Sequence, residues 1–295
     1  MFSRTENIAK LEVALMPEGP FLVKAREGLD PTHPDMEFVR LTTPYGESIY
    51  VPGSSVKGVV RSAAEALLQA LGKEVCDASD TSGICPRLKR NLQDRRTRKL
   101  PYDQHCDICK TFGSTDLASR VTFGDLFPWK LEDEEAKRIE AVQKLRDRLS
   151  VRYGISIDRR KGSVAHGPFE MEVLCGGSLY GEVIVRNYGL WQLGMLLFVI
   201  DRIDDGTLRL GFGKSRGLGR VQLQLEKMVV EQFGRLYAET DTLKGAGNDD
   251  GTLKLPAQVP QTDLVISHRF VLTGGSLKTV KQGIIQQFQR RYGKS

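Results

Sequence analysis

Four of the five cysteines in this chain share one irregular stretch, and their spacing suits a metal ion. Two of them precede a Cys-x-x-Cys pair, and the set is Cys76, Cys85, Cys106 and Cys109. Four thiolates complete a tetrahedral sulfur site, for which zinc is the usual occupant. His105 can replace one cysteine, and reduced thiols without a metal are the alternative. The fifth cysteine, Cys175, lies alone among strand-like residues and is predicted to be buried.

The turn before the most regular helical pattern is a second candidate site. Residues 51–61 have the sequence Val-Pro-Gly-Ser-Ser-Val-Lys-Gly-Val-Val-Arg. Free backbone amides and the positive end of the helix dipole at such a turn favour an anion. Lys57 and Arg61 are four residues apart and share one helix face, where both can contact a phosphate chain. The alternative is a capped helix with a solvated basic face.

A glycine-rich loop is the third candidate site. Residues 211–219 have the sequence Gly-Phe-Gly-Lys-Ser-Arg-Gly-Leu-Gly, which places Lys214 and Arg216 among four glycines. Glycines let the backbone approach a ligand closely, and the two cations can reach its charge. A nucleotide-binding P-loop is excluded, because it needs a glycine six residues before the lysine and position 208 is leucine. The loop precedes a predicted strand, which favours contact with an extended nucleic-acid backbone.

These candidate sites must be positioned by a mixed set of helices and strands. A helix is predicted from Ser55 to Leu71, with Ser54 or Ser55 as its N-cap and Gly72 as its stop. The other predicted elements are a strand at 11–23, an exposed helix at 132–149, a hairpin at 169–185 that turns at Gly176-Gly177, a buried helix at 190–203 and a strand at 221–230. This order predicts an α+β, ferredoxin-like antiparallel sheet with large insertions.

Other segments extend or interrupt this core. Residues 73–118 hold the four cysteines and a dense basic run, and are predicted to form a zinc-binding insertion that the metal would stabilise. Three more segments follow near the end of the chain: a loop at 240–261, a strand at 263–272 and a basic helix at 276–292. Ile284, Ile285 and Phe288 are predicted to face inward from that helix. How the C-terminal extension 233–295 packs is left open.

Charge and hydropathy indicate a partner class. The formal net charge is +6 and the isoelectric point is near 9.0, with the basic residues in clusters that attract polyanions. No stretch approaches the roughly 18 uninterrupted apolar residues of a membrane span. The first residues also lack the apolar run of a signal peptide. We therefore expect a cytoplasmic protein with no membrane partner.

Together, the turn before the helix and the glycine-rich loop resemble signatures of the CRISPR-associated RAMP superfamily. A third segment, Cys106–Asp125, is similar to the Phe-Gly-Ser…Ser-Arg-Val…Phe-Asp element of type III members. The three matches cover about residues 20–225 and follow the order of the family. The resemblance implies a single RAMP domain over 1–295, with an RRM-like core, insertions and a thumb-like hairpin.

The resemblance further implies a backbone subunit of a type III effector complex for antiviral defence. Such subunits assemble head to tail with other subunits along a crRNA, and their thumbs displace bases so that target RNA pairs in short segments. The implied RNA contacts are Gly53, Ser54, Ser55, Lys57, Arg61, Ser119, Arg120, Lys214, Ser215 and Arg216. The thumb corresponds to 150–168 with Arg159, Arg160 and Lys161, for which an exposed basic turn is the alternative.

Some type III backbone subunits also cleave target RNA with an aspartate before the Pro-Gly-Ser-Ser turn and a divalent cation. Alignment of Asp-Met-Glu-Phe-Val-Arg on the family pattern Asp-x-x-Val-x-[Lys/Arg] selects Asp35, and Asp30 is the competing choice. A carboxylate there can hold Mg²⁺ or accept the 2′-OH proton. His33 is a further candidate for proton transfer or a plain exposed histidine. Three alternatives remain: a subunit that binds RNA without cutting it, a guide-processing endoribonuclease and a zinc-containing RNA chaperone.

Overall fold

A computed structural model describes residues 4–25, 34–76, 85, 101–114, 117–158, 160–234, 241–247 and 251–293. Over these residues the fold is mixed α+β. The helices are α1 (Gly53–Ala70), α2 (Asp107–Phe112), α3 (Glu135–Arg146), α4 (Leu190–Asp204) and α5 (Gly274–Tyr292). None of the helices in these ranges is long and apolar enough to cross a membrane.

The main sheet has six antiparallel strands. Chain order gives the strands β1 (Asn7–Pro17), β2 (Arg40–Thr43), β3 (Gly46–Ile49), β4 (Val121–Phe123), β5 (Leu149–Ile157), β6 (Val164–Leu174), β7 (Leu179–Arg186), β8 (Val221–Phe233), β9 (Thr242–Lys244), β10 (Thr252–Lys254), β11 (Gln261–Asp263) and β12 (Ser267–Thr273). The spatial order in the main sheet is β11-β12-β8-β1-β7-β4. The pairs β2–β3, β5–β6 and β9–β10 form separate two-stranded sheets.

The core lies between one face of the main sheet and the helices α1, α4 and α5. Ala9, Leu11, Val13 and Leu15 alternate with less buried residues along most of β1, so they share the face that enters the core. Helix α4 packs against α1, α5 and β8, and most of its residues are buried. The predicted buried helix is therefore confirmed, and its burial follows from contacts on three sides.

Helix α1 begins earlier than the sequence predicted. Its N-cap is Pro52, whose carbonyl accepts the Ser55 amide at 2.9 Å, while Ser54 and Ser55 are exposed and make no side-chain cap. The prediction of a serine N-cap is wrong because Pro52 supplies the extended backbone that precedes the helix. Gly72 has a φ of +70° just beyond the helix end, as expected for a glycine stop.

The predicted hairpin at 169–185 is also wrong. β6 pairs with β5, whereas β7 pairs with β1 and β4 in the main sheet. Gly176 and Gly177 have φ values of +97° and +85°, and they lead the chain out of one hairpin and into the sheet. Cys175 lies at this exit and is exposed, so the prediction of a buried Cys175 is wrong as well.

The C-terminal extension is part of the core rather than an appendage. The predicted loop at 240–261 contains β9 and β10 and leads into β11, and β12 then pairs with β8. Helix α5 packs on α4 with Leu277, Val280, Ile284 and Phe288 buried, whereas Ile285 is only partly buried. The charged segment at 132–149 forms the shorter helix α3, with two buried side chains.

Candidate nucleic-acid interface and metal centre

Two of the sequence motifs and the segment predicted to be the thumb meet at one end of the main sheet. The pairs Pro17↔Val221 and Leu15↔Leu179 show that β1 ends where β8 and β7 begin. The segment after β4 reaches the same end, because Phe127 forms a bridge with Tyr180 near the start of β7. The turn before α1, the glycine-rich loop before β8 and the exit of the β5–β6 hairpin before β7 all lie here.

The turn before α1 is closed by a carboxylate of the same chain. The Gly53 amide donates to Asp125 Oδ1 at 2.7 Å, and the Ser55 amide bonds to Pro52. A Cβ on Gly53 would lie 2.2 Å from the Phe123 carbonyl oxygen, so only glycine fits. The expected open set of backbone amides is therefore corrected: the free polar groups at this turn are mainly the exposed side chains of Ser54 and Ser55.

The two cations of α1 are engaged inside the protein. Lys57 Nζ donates to Ser119 Oγ at 3.0 Å, and Arg61 donates to Glu65 Oε1 at 2.9 Å and to the Gly113 carbonyl. Burial, and to a smaller extent the neighbouring Arg61, lowers the pKa of Lys57. A phosphate at this site would have to share Lys57 and Arg61 with these internal acceptors.

Arg120 also has internal partners. Its guanidinium lies 4.1 Å from the centre of the Tyr102 ring, and its Nη1 donates to Gln192 Oε1 at 3.4 Å. Gln192 is buried and donates to the Lys110 carbonyl and to Thr111 Oγ1, which ties α4 to α2. Sequence patterns gave no signal for Gln192, because a single polar residue within an apolar helix has no characteristic spacing.

The glycine-rich loop presents its charged residues to solvent. Gly213 and Gly217 are left-handed and flank a short 3₁₀ turn whose residues, Lys214, Ser215 and Arg216, are all exposed. Gly211 packs so closely that a Cβ would lie 2.3 Å from the Leu22 carbonyl oxygen. The glycines therefore anchor the loop against the segment after β1 while its cations remain accessible.

The β5–β6 hairpin is exposed along β5 and at its tip. Four apolar side chains, Val151, Tyr153, Ile155 and Ile157, are each at least 44% exposed, and their alternation places them on one face. Arg160 and Lys161 follow at the exposed tip, where Asp158 Oδ1 accepts both of their amides. The predicted thumb segment thus coincides with this hairpin. Arg159 lies outside the described residues.

Asp35 lies beside this hairpin, near its base. Its Oδ2 accepts the Glu170 amide of β6 at 2.8 Å, and the residue is exposed. Its other oxygen accepts no hydrogen bond from the residues that the structure describes. The competing Asp30 and the histidine His33 lie outside the described ranges.

Sequence and structure agree on the sulfur site. The Sγ atoms of the four cysteines lie within 4.8 Å of one another, and all four residues are buried; they are Cys76, Cys85, Cys106 and Cys109. Hydrogen bonding from the Cys109 thiol lowers the pKa of Cys106 to about 6. Four buried and converging sulfurs fit a tetrahedral metal ion such as zinc. His105 is fully buried next to Cys106 in sequence but is not part of this set.

Comparison with known protein families supports the motif assignment. The family model of the RAMP superfamily matches residues 36–222, more than half of the 295-residue chain. The chain belongs to the RAMP superfamily. Membership of this superfamily implies a CRISPR-associated RNA-binding role, and RAMP proteins bind crRNA and work in CRISPR complexes. No curated protein matches the chain at a significant level.

Proposed function

We propose that this RAMP protein is a backbone subunit of a type III complex, which binds crRNA, displays it to target RNA and cleaves the target. The main support is that the turn before α1, the glycine-rich loop and the exposed β5–β6 hairpin lie at one end of the sheet, with Asp35 beside the hairpin. The order β8-β1-β7-β4, with α1 and α4 as crossovers, supports a ferredoxin-like core. Other effector subunits would flank this one head to tail.

Charge distribution supports RNA binding at this end rather than across the open sheet face. On the face opposite the helices, Lys10 pairs with Glu182 at 2.6 Å and Glu12 pairs with Lys227 at 3.2 Å. Cations that are already neutralised offer little attraction to phosphate. Lys214 and Arg216 have no carboxylate partner among the described residues, so they are the stronger candidates for guide-backbone contacts.

The β5–β6 hairpin supports a role in shaping the bound RNA. Apolar side chains that face water are costly unless a partner covers them, and a nucleobase can stack on Tyr153 or pack on Ile155 and Ile157. Cations at the tip, Arg160 and Lys161, would contact the phosphates on either side. The hairpin would thereby separate neighbouring bases and present short guide segments to the target.

Cleavage would use the 2′-hydroxyl of the target as nucleophile. The 2′-oxygen attacks the adjacent phosphorus, the bond to the 5′-oxygen breaks, and that oxygen gains a proton. The open oxygen of Asp35 can accept the 2′-OH proton or serve as one ligand of a divalent cation whose other ligands are phosphates and water. Such a cation would neutralise charge on the reacting phosphate. A single protein carboxylate suffices because the displaced base fixes the RNA geometry.

Zinc in the sulfur site would have a structural role. Four sulfur ligands leave no open coordination position for a substrate, which is typical of structural zinc. The site joins Cys76, which follows α1, to α2, and α2 is bound through Gln192 to the central helix α4. The metal would therefore hold the base of the insertion against the core.

Two alternatives differ in catalysis. The hydrogen bond from Glu170 gives Asp35 a structural role, which is the observation that favours an RNA-binding subunit that does not cut. A guide-processing endoribonuclease would require an accessible histidine. His105 and His268 are both buried, so neither of these two is available as an acid or base for such an enzyme.

Separate substitution of the two loop aspartates tests the catalytic proposal. In the assembled complex, Asp35→Ala should abolish cleavage of complementary target RNA while crRNA loading stays at the wild-type level. Asp30→Ala should leave cleavage intact, and Asp241→Ala, in an exposed position near β9, is the matched control. Normal cutting by both the Asp35 and the Asp30 variants would contradict catalysis by this loop and favour the non-catalytic alternative.

A further inference from the structure

The segment that carries Asp35 runs along β6 as a short additional strand. The Met36 amide donates to the Glu170 carbonyl at 3.0 Å, and the Glu172 amide donates back to the Met36 carbonyl at 2.9 Å. Met36 and Met171 thereby form a parallel bridge. Together with the Glu170 amide on Asp35, these bonds join the candidate catalytic residue directly to the hairpin.

A partly buried ion pair adds to the contact between the Asp35 segment and β6, which we call the Asp35–β6 seam. Arg40 Nη2 lies 2.6 Å from Glu172 Oε1, and Glu172 Oε2 accepts the Phe38 amide at 2.9 Å. Only 12% of the Glu172 side chain and 28% of the Arg40 side chain are exposed. Both carboxylate oxygens are thus satisfied by the loop, so removal of Arg40 would leave a largely buried charge with half of its partners.

Arg40 also lies near two further carboxylates. Its guanidinium lies 3.7 Å from Glu47 of β3 and 4.0 Å from Glu37. β2 begins at Arg40, so this residue stands where the loop becomes the β2–β3 hairpin. Arg40 therefore joins three elements: the loop that carries Asp35, the β2–β3 hairpin and the thumb-like strand β6.

We propose that Arg40 and Glu172 are positioning residues that make Asp35 move with the β5–β6 hairpin, so that the insertion of the hairpin into RNA sets the position of the carboxylate. The inference rests on the proposed cleavage of target RNA. Hydrogen bonds from a main-chain amide and a guanidinium fix the loop to the hairpin at both ends of Asp35–Arg40. Neither Arg40 nor Glu172 needs to touch the RNA.

Kinetics of the assembled complex test this coupling. Arg40→Ala and Glu172→Ala should each lower single-turnover cleavage at saturating target by about tenfold or more, because a small misplacement of a catalytic group is costly. Target affinity and crRNA loading should stay unchanged. Glu172→Gln keeps an oxygen that can accept the Phe38 amide and should therefore lose less rate than Glu172→Ala. Glu170→Ala is the matched control and should cut normally, because Glu170 contributes only its backbone.

A second measurement does not depend on catalysis. Amide hydrogen exchange at Phe38 and Glu170 in the full-length subunit should accelerate in Arg40→Lys, which keeps the charge but loses the planar donor pair. Wild-type exchange at both amides in this variant would contradict the coupling, as would wild-type cleavage by the alanine variants in a complex that Asp35→Ala inactivates. If the Asp35 variant cuts normally, the proposed function fails instead. Accelerated exchange in Arg40→Lys would still show that Arg40 and Glu172 hold the loop against the hairpin.

Discussion

At the residue scale, the cations of this protein fall into two classes that their sequence motifs do not distinguish. Lys57, Arg61 and Arg120 donate to oxygen atoms of the same chain, whereas Lys214 and Arg216 are exposed on a 3₁₀ turn between two left-handed glycines. Both classes occur in motifs that also contain glycine and serine, and a motif shows which residue types lie close along the chain but not which atoms they contact. The exposed class should therefore contribute most to RNA affinity.

Replacement of both exposed cations tests this distinction. Lys214→Ala with Arg216→Ala should weaken binding of single-stranded guide RNA about tenfold and reduce the slope of log affinity against log salt by about 1.4, since two phosphate contacts are lost. The melting temperature should not change. Titrations over a range of salt concentrations measure both quantities. An equal effect from Lys254→Ala, in the exposed strand β10, would mean that the loop has no special role.

At the element scale, the start of α1 is fixed by a close backbone approach. Gly53 lies against the end of β4, and its amide is held by Asp125. The sequence identified the helix and its glycine, but it suggested a phosphate as the partner of the amide. The actual partner, Asp125, is the last residue of the third motif, more than seventy positions away along the chain.

Two glycines of α1 offer a matched pair of substitutions. Gly53→Ala should destabilise the protein by about 1–3 kcal/mol, because the new Cβ would clash with the Phe123 carbonyl. Gly58→Ala should stabilise it by about 0.5–1 kcal/mol, since the new Cβ would meet no other part of the described protein within 4 Å and alanine favours the helix. Chemical denaturation measures both. Equal changes in the two variants would contradict the close approach at Gly53.

The residues of the sulfur site were predicted well from the spacing of the cysteines in the sequence. A Cys-x-x-Cys pair gave a specific signal, and the two more distant cysteines that the sequence analysis added to it lie beside the pair in the structure. The presence of His105 beside Cys106 in sequence was misleading, because its ring is buried outside the ligand set. Only the structure shows that, of His105 and the four cysteines, the four sulfur atoms lie together.

Metal analysis of purified protein tests the site. Wild type should contain about one zinc ion per chain, and Cys106→Ser should lose it with a lower melting temperature, because ligand binding and folding of the insertion are coupled. The control is Cys175→Ser, which lies in an exposed turn and should keep both the zinc and the stability. Full zinc content in Cys106→Ser would show that the metal is bound elsewhere.

At the scale of the whole molecule, local pattern predicted most elements but not their partners. The segments 169–174 and 179–185 are adjacent in sequence and separated by four residues, two of them glycines, which is a usual pattern of a hairpin. They nevertheless belong to different sheets. Alternation of buried and exposed residues predicts a strand, but it does not indicate which other strand that strand pairs with. For the same reason, the packing of the C-terminal extension 233–295 on the core could not be predicted. Its short strands β9 and β10 have little apolar periodicity.

A structure of the assembled complex with crRNA and target RNA tests the central claim most directly. We predict that the guide backbone passes Ser54, Ser55 and the Lys214–Arg216 turn. The β5–β6 hairpin should displace a base, and the target phosphate beside that base should lie next to Asp35. RNA that instead crosses the open sheet face, over the Lys10–Glu182 and Glu12–Lys227 pairs, with Asp35 remote from both strands, would contradict the account.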